Sequence, residues 1–325
     1  MIAKSAVQTQ QGPVTDRGRN ARVAILLSTY NGAPFLREQL DSLISQTHQD
    51  WVIFASDDGS SDTTLAILSE YQLKLGQDRL VIFPGPRKGF SANFLSLLKR
   101  PELEANYYAY CDQDDVWEAD KLERGVRWCE TIAPTQPALF CGRTRLIDEA
   151  GSPIGYSQLF SAPPSFRNAL VQSIAGGNTM LFNEATRELL MKTQEGDRII
   201  SHDWWTYLLV TGCGGIVHYE SAPTIDYRQH GRNLIGSNGS FKDQILRLRK
   251  LLAGTFKHWN DANLQAIKAV QDQLSSDSQR TLALFVQARQ STLPKRLLLI
   301  SRSGVYRQTL LGNLGLTAAA ILQRL

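Results

Sequence analysis

Four short apolar runs in the first third of the chain each stop at a turn or a polar cluster, and helical spacing fills the gaps between them. Residues 22–29 end at Tyr30-Asn31-Gly32, residues 51–56 at Asp57-Asp58-Gly59, residues 79–83 at Pro84-Gly85-Pro86, and residues 107–111 at Asp112 to Asp115. Residues 34–46 place Phe35, Leu36, Leu40, Leu43 and Ile44 at helical intervals. Ser60-Ser61-Asp62 offers N-cap chemistry for a second helix, and a third is predicted near 91–99. Runs this short and this apolar are strands buried on both faces. Strand alternating with helix predicts an α/β fold with a mostly parallel sheet flanked by helices. Such sheets bind ligands at the carboxyl ends of their strands. Three of the four ends are polar and fall on that one edge.

The rest of the chain is less regular. Gly176-Gly177-Asn178 is followed by a helix near 184–191, by His202-Asp203-Trp204-Trp205 opening another, and by a strand over 215–219. From Phe241 onward the spacing is helical and amphipathic. This region carries 13 Lys+Arg against 4 Asp+Glu, whereas the preceding 240 residues carry 22 against 27. A basic helical arm on a slightly acidic body fits either an anionic membrane surface or a packed helix with a solvated face. Nothing resembles a nucleic-acid module. The four cysteines form no metal-clip spacing and suggest a reducing compartment. No run is long and apolar enough to span a bilayer, and residues 1–20 read as a flexible leader without a signal-peptide core.

The acidic stretch Asp112-Gln113-Asp114-Asp115 defines the chemistry. Carboxylates alone repel a diphosphate, so aspartates at a diphosphate site imply a bridging Mg²⁺ or Mn²⁺. Such a cation neutralises charge on a leaving diphosphate. An acidic turn capping the helix at 121–128 is the plain alternative.

Ser28-Thr29-Tyr30-Asn31-Gly32, Ser56-Asp57-Asp58-Gly59-Ser60 and Cys111-Asp112-Gln113-Asp114-Asp115-Val116-Trp117 resemble the three ordered motifs of inverting family 2 glycosyltransferases of the GT-A fold. Gly176-Gly177-Asn178, His202-Asp203-Trp204 and Tyr227-Arg228-Gln229-His230-Gly231 resemble the rhamnosyltransferase-like branch. The resemblance implies a catalytic domain over 21–240 with a basic helical region over 241–325. It places Thr29, Tyr30, Asn31, Asp57 and Asp58 around the nucleoside, with Lys88, Asn93 and Arg228 also on the donor and Asp112 on the ribose or donor sugar. Asp114 and His230 would hold the metal, with Asp115 open to either role. Asp203 would be the general base, although a helix N-cap reading is equally natural for it. Gly176, Gly177 and Trp204 would meet the acceptor, with core packing the alternative for the tryptophan.

The implied reaction is transfer of a sugar, L-rhamnose from dTDP-rhamnose, to a glycan or lipid-diphosphate-linked acceptor in cell-surface polysaccharide synthesis. The implied place is the cytoplasm, peripheral on the inner face of the membrane. Two other readings stand beside it. Asp112-x-Asp114 after an apolar strand formally fits an Asp-nucleophile phosphatase, though no later GDxxxD-like element follows. A non-catalytic sugar-nucleotide-binding scaffold would use the same fold.

Overall fold

The computed structural model describes residues 21–194, 198–231 and 255–325. The predicted leader (1–20) and the start of the basic arm (241–254), including Lys242, Arg247, Arg249 and Lys250, lie outside the described residues.

The predicted alternation is present. In chain order come β1 (Val23–Thr29), α1 (Leu36–Ile44), β2 (Trp51–Asp57), α2 (Thr64–Leu75), β3 (Leu80–Pro84), α3 (Phe90–Leu98) and β4 (Tyr107–Cys111). Then follow β5 (Val116–Trp117), α4 (Lys121–Cys129), β6 (Ala138–Gly142), β7 (Arg145–Ile147), β8 (Pro153–Tyr156) and α5 (Phe166–Ala169). After a 3-10 turn at Gly177–Thr179 come β9 (Leu181–Asn183), α6 (Glu184–Met191), α7 (His202–Gly212), β10 (Ile216–Glu220) and β11 (Ile225–Arg228). The last described elements are α8 (Thr255–Ile267), α9 (Ser276–Gln290), α10 (Leu293–Ser303) and α11 (Leu310–Ile321).

The main sheet has seven strands in the order β10-β6-β9-β4-β1-β2-β3. Every pairing in it is parallel except those of β9 with β4 and β6. Strand order reverses at β1, which lies between β4 and β2. The motifs ending β1, β2 and β4 therefore converge at a switch point. Alternate residues of β1 feed two cores, as period-2 geometry requires. Val23, Ile25 and Leu27 pack with Leu40, Ile67 and Val126 from α1, α2 and α4. Ala24 and Leu26 pack with Phe94, Leu190 and Trp205 from α3, α6 and α7.

A second sheet, β5-β11-β7-β8, was not legible as such in the sequence. It carries the chain from the acidic motif to Arg228 and His230. The C-terminal helices share the α7-side core through Ala266, Phe285, Leu316 and Ala319, so they form a layer on the catalytic body. All four cysteines are free. Among the described residues, no helix is long and apolar enough to cross a membrane.

Candidate active site

The ends of β1 and β2 are locked together by the residues predicted to surround the nucleoside. Asp57 is buried, and its carboxylate accepts from Thr29 Oγ1 (2.9 Å), Gly59 N (3.1 Å), Ser60 N (2.8 Å) and Ser60 Oγ (2.5 Å). Those bonds consume the carboxylate, and Thr29 is itself only 1% exposed. Both residues are buried and shape the loop from beneath. Asp58 accepts from the backbone N–H of Arg87 (2.6 Å) and Gly89 (2.8 Å), which ties the basic loop to the β2 end and leaves Lys88 exposed beside it.

Asn31 adopts the left-handed conformation (φ 49°) and accepts from Ser61 N at 2.8 Å. Tyr30 is exposed, yet its backbone is held from both sides by Gln113, which accepts from Tyr30 N (2.9 Å) and donates to Tyr30 O (3.0 Å). A Cβ on Gly32 would overlap that Gln113 side chain, so glycine there lets the first loop close on the acidic motif. Asn93 is wholly buried and bonded to Ser28 Oγ (2.7 Å), Ser56 Oγ (2.6 Å) and Ser56 O (2.8 Å). It braces β1 against β2 beneath the strand ends.

The acidic motif divides by direction. Asp115 is fully buried; it accepts from Asn178 Nδ2 (2.6 Å) and from the backbone N–H of Arg228 (3.2 Å). Asp114 points the other way, and its Oδ2 meets His230 Nε2 at 2.8 Å. Stacking on Phe35 at 4.9 Å fixes the His230 ring. Asp114 thus faces the histidine and Asp115 faces the protein interior. Arg228 lies behind the acidic loop. Its guanidinium is 1% exposed and bonds Asp114 O (3.0 Å), Glu149 O (3.0 Å) and Glu38 Oε2 (2.5 Å). It fastens the acidic loop to Glu38 and to the backbone at Glu149.

Asp112 completes the cluster. Burial, then the charges of Asp114 and Asp203, push its carboxyl up to about 8. Burial, then the charges of Asp114 and Asp112, raise Asp115 well above the carboxylate range. Mutual repulsion of this kind is what a bound cation relieves.

Asp203 lies in the first turn of α7, one residue past the helix start at His202, so the N-cap is Ser201 and not Asp203 as the alternative reading had it. Its Oδ1 accepts from the Ser201 hydroxyl and from Trp204 N (2.5 Å). The positive end of the helix stabilises a carboxylate there. Trp204 is 6% exposed, and its indole N–H donates to Ala169 O at 2.7 Å, which matches the core-packing alternative.

His202 lies in an aromatic box, stacked on Phe94 at 4.1 Å and edge-on to Tyr110 at 4.6 Å. Both its ring nitrogens lack a hydrogen-bond partner, and burial pulls its pKa down to about 4. The unfolded value is about 6.5, so between those two values the unfolded chain binds the extra proton. Stability is therefore expected to fall as pH drops from 6.5 toward 4, by about 1.4 kcal/mol per unit for this group. Urea melts across that window check it, and His202→Phe should flatten this part of the slope.

Gly176 is exposed on the same loop, whereas Gly177 is buried against the histidine, where a Cβ would overlap His202 Nε2. With the ring boxed in, Gly177→Ala should destabilise the fold by about 1–3 kcal/mol in the same melts.

Residues 24–190 match the model of glycosyl transferase family 2. The chain belongs to that family. It is 31% identical over 234 residues to the dTDP-rhamnosyl transferase RfbG of Shigella flexneri, covering 68% of this chain and 78% of that one. The solved structure of S. aureus TarS residues 1–349 in complex with UDP-GlcNAc aligns with a TM-score of 0.51 at 14% identity, over 88% of this chain and 93% of that one. The structure of GalNAc-T7 with UDP, GalNAc and Mn²⁺ aligns with a TM-score of 0.50 at 13% identity, over 71% of this chain and 48% of that one. Both show the GT-A fold. Family membership sets the phosphatase reading aside.

The donor set of this family 2 glycosyltransferase suits a hard divalent cation. Asp114 offers oxygen and His230 nitrogen, beside a crowded Asp112. Among the described residues, no group of three or more acidic, histidine or cysteine side chains forms a closed cage.

Motif reading did not find Gln113 as the clamp on Tyr30, Glu38 as the partner of Arg228, or Asn178 as the partner of Asp115. Glu38 sits in the first turn of α1, where an acidic residue is ordinary helix chemistry. Only its partner, 190 positions away, gives it another role.

Proposed function

We propose that this glycosyltransferase inverts configuration while moving L-rhamnose from dTDP-rhamnose to a hydroxyl of a glycan or lipid-diphosphate-linked acceptor, at the inner face of the cell membrane during surface-polysaccharide synthesis. The observation that carries the reading is the nearness of two carboxylates from different motifs. Asp203, at the start of α7, lies close enough to Asp112, at the end of β4, to raise its pKa. This supports a site in which base and donor-sugar residue act together with the Asp114–His230 pair.

In this reading Tyr30, Asn31 and the Asp58-held loop with Lys88 receive the nucleoside and its phosphates. Asp112 holds the ribose or donor sugar. Asp114 and His230 hold Mg²⁺ or Mn²⁺, which when bound supplies Lewis-acid stabilisation of the leaving diphosphate. Asp203 accepts the acceptor's hydroxyl proton as that oxygen attacks the anomeric carbon and the bond from that carbon to the diphosphate oxygen breaks. The Gly176-Gly177 loop, seated on His202, borders the acceptor side.

The rhamnosyl assignment is supported by the likeness to RfbG, named a dTDP-rhamnosyl transferase. Incubation of the purified chain with a panel of nucleotide sugars and Mn²⁺ tests it. Turnover of dTDP-rhamnose above the UDP- and GDP-sugars is expected. Preference for another donor overturns the sugar assignment, and no turnover of any donor overturns transfer itself.

A further inference from the structure

Large apolar side chains are exposed unevenly over this molecule. Of the 17 exposed among the described residues, eight lie between Leu293 and Leu322. They concentrate on α11, whose sequence LLGNLGLTAAAI contains no charged residue. Leu316, Ala319 and Ala320 face inward, while Leu310 is 78%, Leu311 68% and Leu314 59% exposed. Ile321 and Leu322 continue that outward face. On α10, Leu297 and Leu298 are exposed as well. The two helices are pinned together by the buried Arg296, which donates to Ala320 O at 2.8 Å.

The side-chain charge carried by this segment of sequence is of one sign. From Ser278 to Leu325 the chain has no Asp or Glu and seven Lys or Arg. Lys295, Arg302 and Arg324 are exposed among them. At 12 residues α11 is about 18 Å long, well short of the roughly 30 Å hydrocarbon core. An uncharged leucine face of this length, flanked by cations, suits the plane of a bilayer interface. A second copy of the chain would bring like charges together at the same place, whereas anionic headgroups complement them.

We propose that α11, with the exposed face of α10, is a lipid-docking surface that lies in the interface of an anionic bilayer. The surface belongs to the catalytic body, because Arg307 donates to Val171 O at 2.8 Å and Trp259 of α8 packs edge-on against Trp204 of α7. The inference deepens the membrane-face location proposed above and rests on it for its biological sense.

Co-sedimentation of the full chain with phosphatidylglycerol–phosphatidylcholine vesicles, against phosphatidylcholine alone, is the test. Binding to the anionic vesicles only is expected, weakened by added salt. The double variant Leu310→Gln/Leu314→Gln changes exposed positions and should fold normally. It should weaken vesicle binding by at least about tenfold. Lys295→Glu/Arg302→Glu should also weaken it. No vesicle binding, or binding indifferent to the leucine variant, overturns the proposal. So does a dimer in sedimentation that the leucine variant dissociates, which would assign the face to a second copy. Donor turnover by the same samples is read separately. Its absence with vesicle binding intact defeats the transfer reading and leaves this one standing.

Discussion

Asp203→Asn is expected to lower the rate of sugar transfer by about 10²–10⁴-fold, the range of a lost general base. Donor affinity should be nearly unchanged. Asparagine keeps the size of the side chain, and its carbonyl oxygen can still accept from Ser201 and Trp204 N, the two donors that hold Oδ1 at the start of α7. What disappears is an oxygen able to take a proton. Calorimetry with dTDP should therefore match the unmodified chain while kcat collapses. Retained turnover would place the base elsewhere. An unmodified chain that binds donor tightly and transfers to no acceptor would instead favour the scaffold reading.

The second large effect is expected at Asp114. Asp114→Asn removes the charged oxygen that meets His230. It should reduce transfer by about 10³-fold, the rate equivalent of several kcal/mol of Lewis-acid stabilisation. It should also abolish the response to added Mn²⁺. His230→Gln should do less to the rate and shift preference from Mn²⁺ toward Mg²⁺, because it replaces the nitrogen ligand with oxygen. Titrating both cations against both variants checks the assignment. An Asp114→Asn enzyme that still needs Mn²⁺ at the original concentration would falsify it. Asp115→Asn should behave differently. Its loss should appear first in stability, since that carboxylate ties Asn178 to Arg228 in the interior.

The sheet and its polar edge were readable because local signals agreed with the tertiary outcome. Strands β1, β2 and β4 are apolar runs cut off by motif residues, and α6 spans 184–191 as its pattern predicts. The small sheet was not readable, because β5, β7, β8 and β11 are two to four residues long, too short for any period. The site divided in the same way. A motif tells which residues gather, but not which way each side chain turns. Asp57, Asn93 and Arg228 all lie in the predicted place, yet each is turned inward by partners elsewhere in the chain. Burial decides their roles, and burial is a tertiary property. Trp204 went the same way once Ala169 offered its carbonyl.

The buried Asp115 has a consequence for how such enzymes can diversify. It joins the end of the acidic motif, the loop at Asn178 and the strand carrying Arg228 at one point, three segments far apart along the chain. Exchanging the acceptor-side loop between relatives, by recombination or in a designed chimera, would separate residue 178 from the partner it was selected with. New acceptor specificities should therefore arise by transplanting the three segments as one block, or by point changes that leave this junction intact.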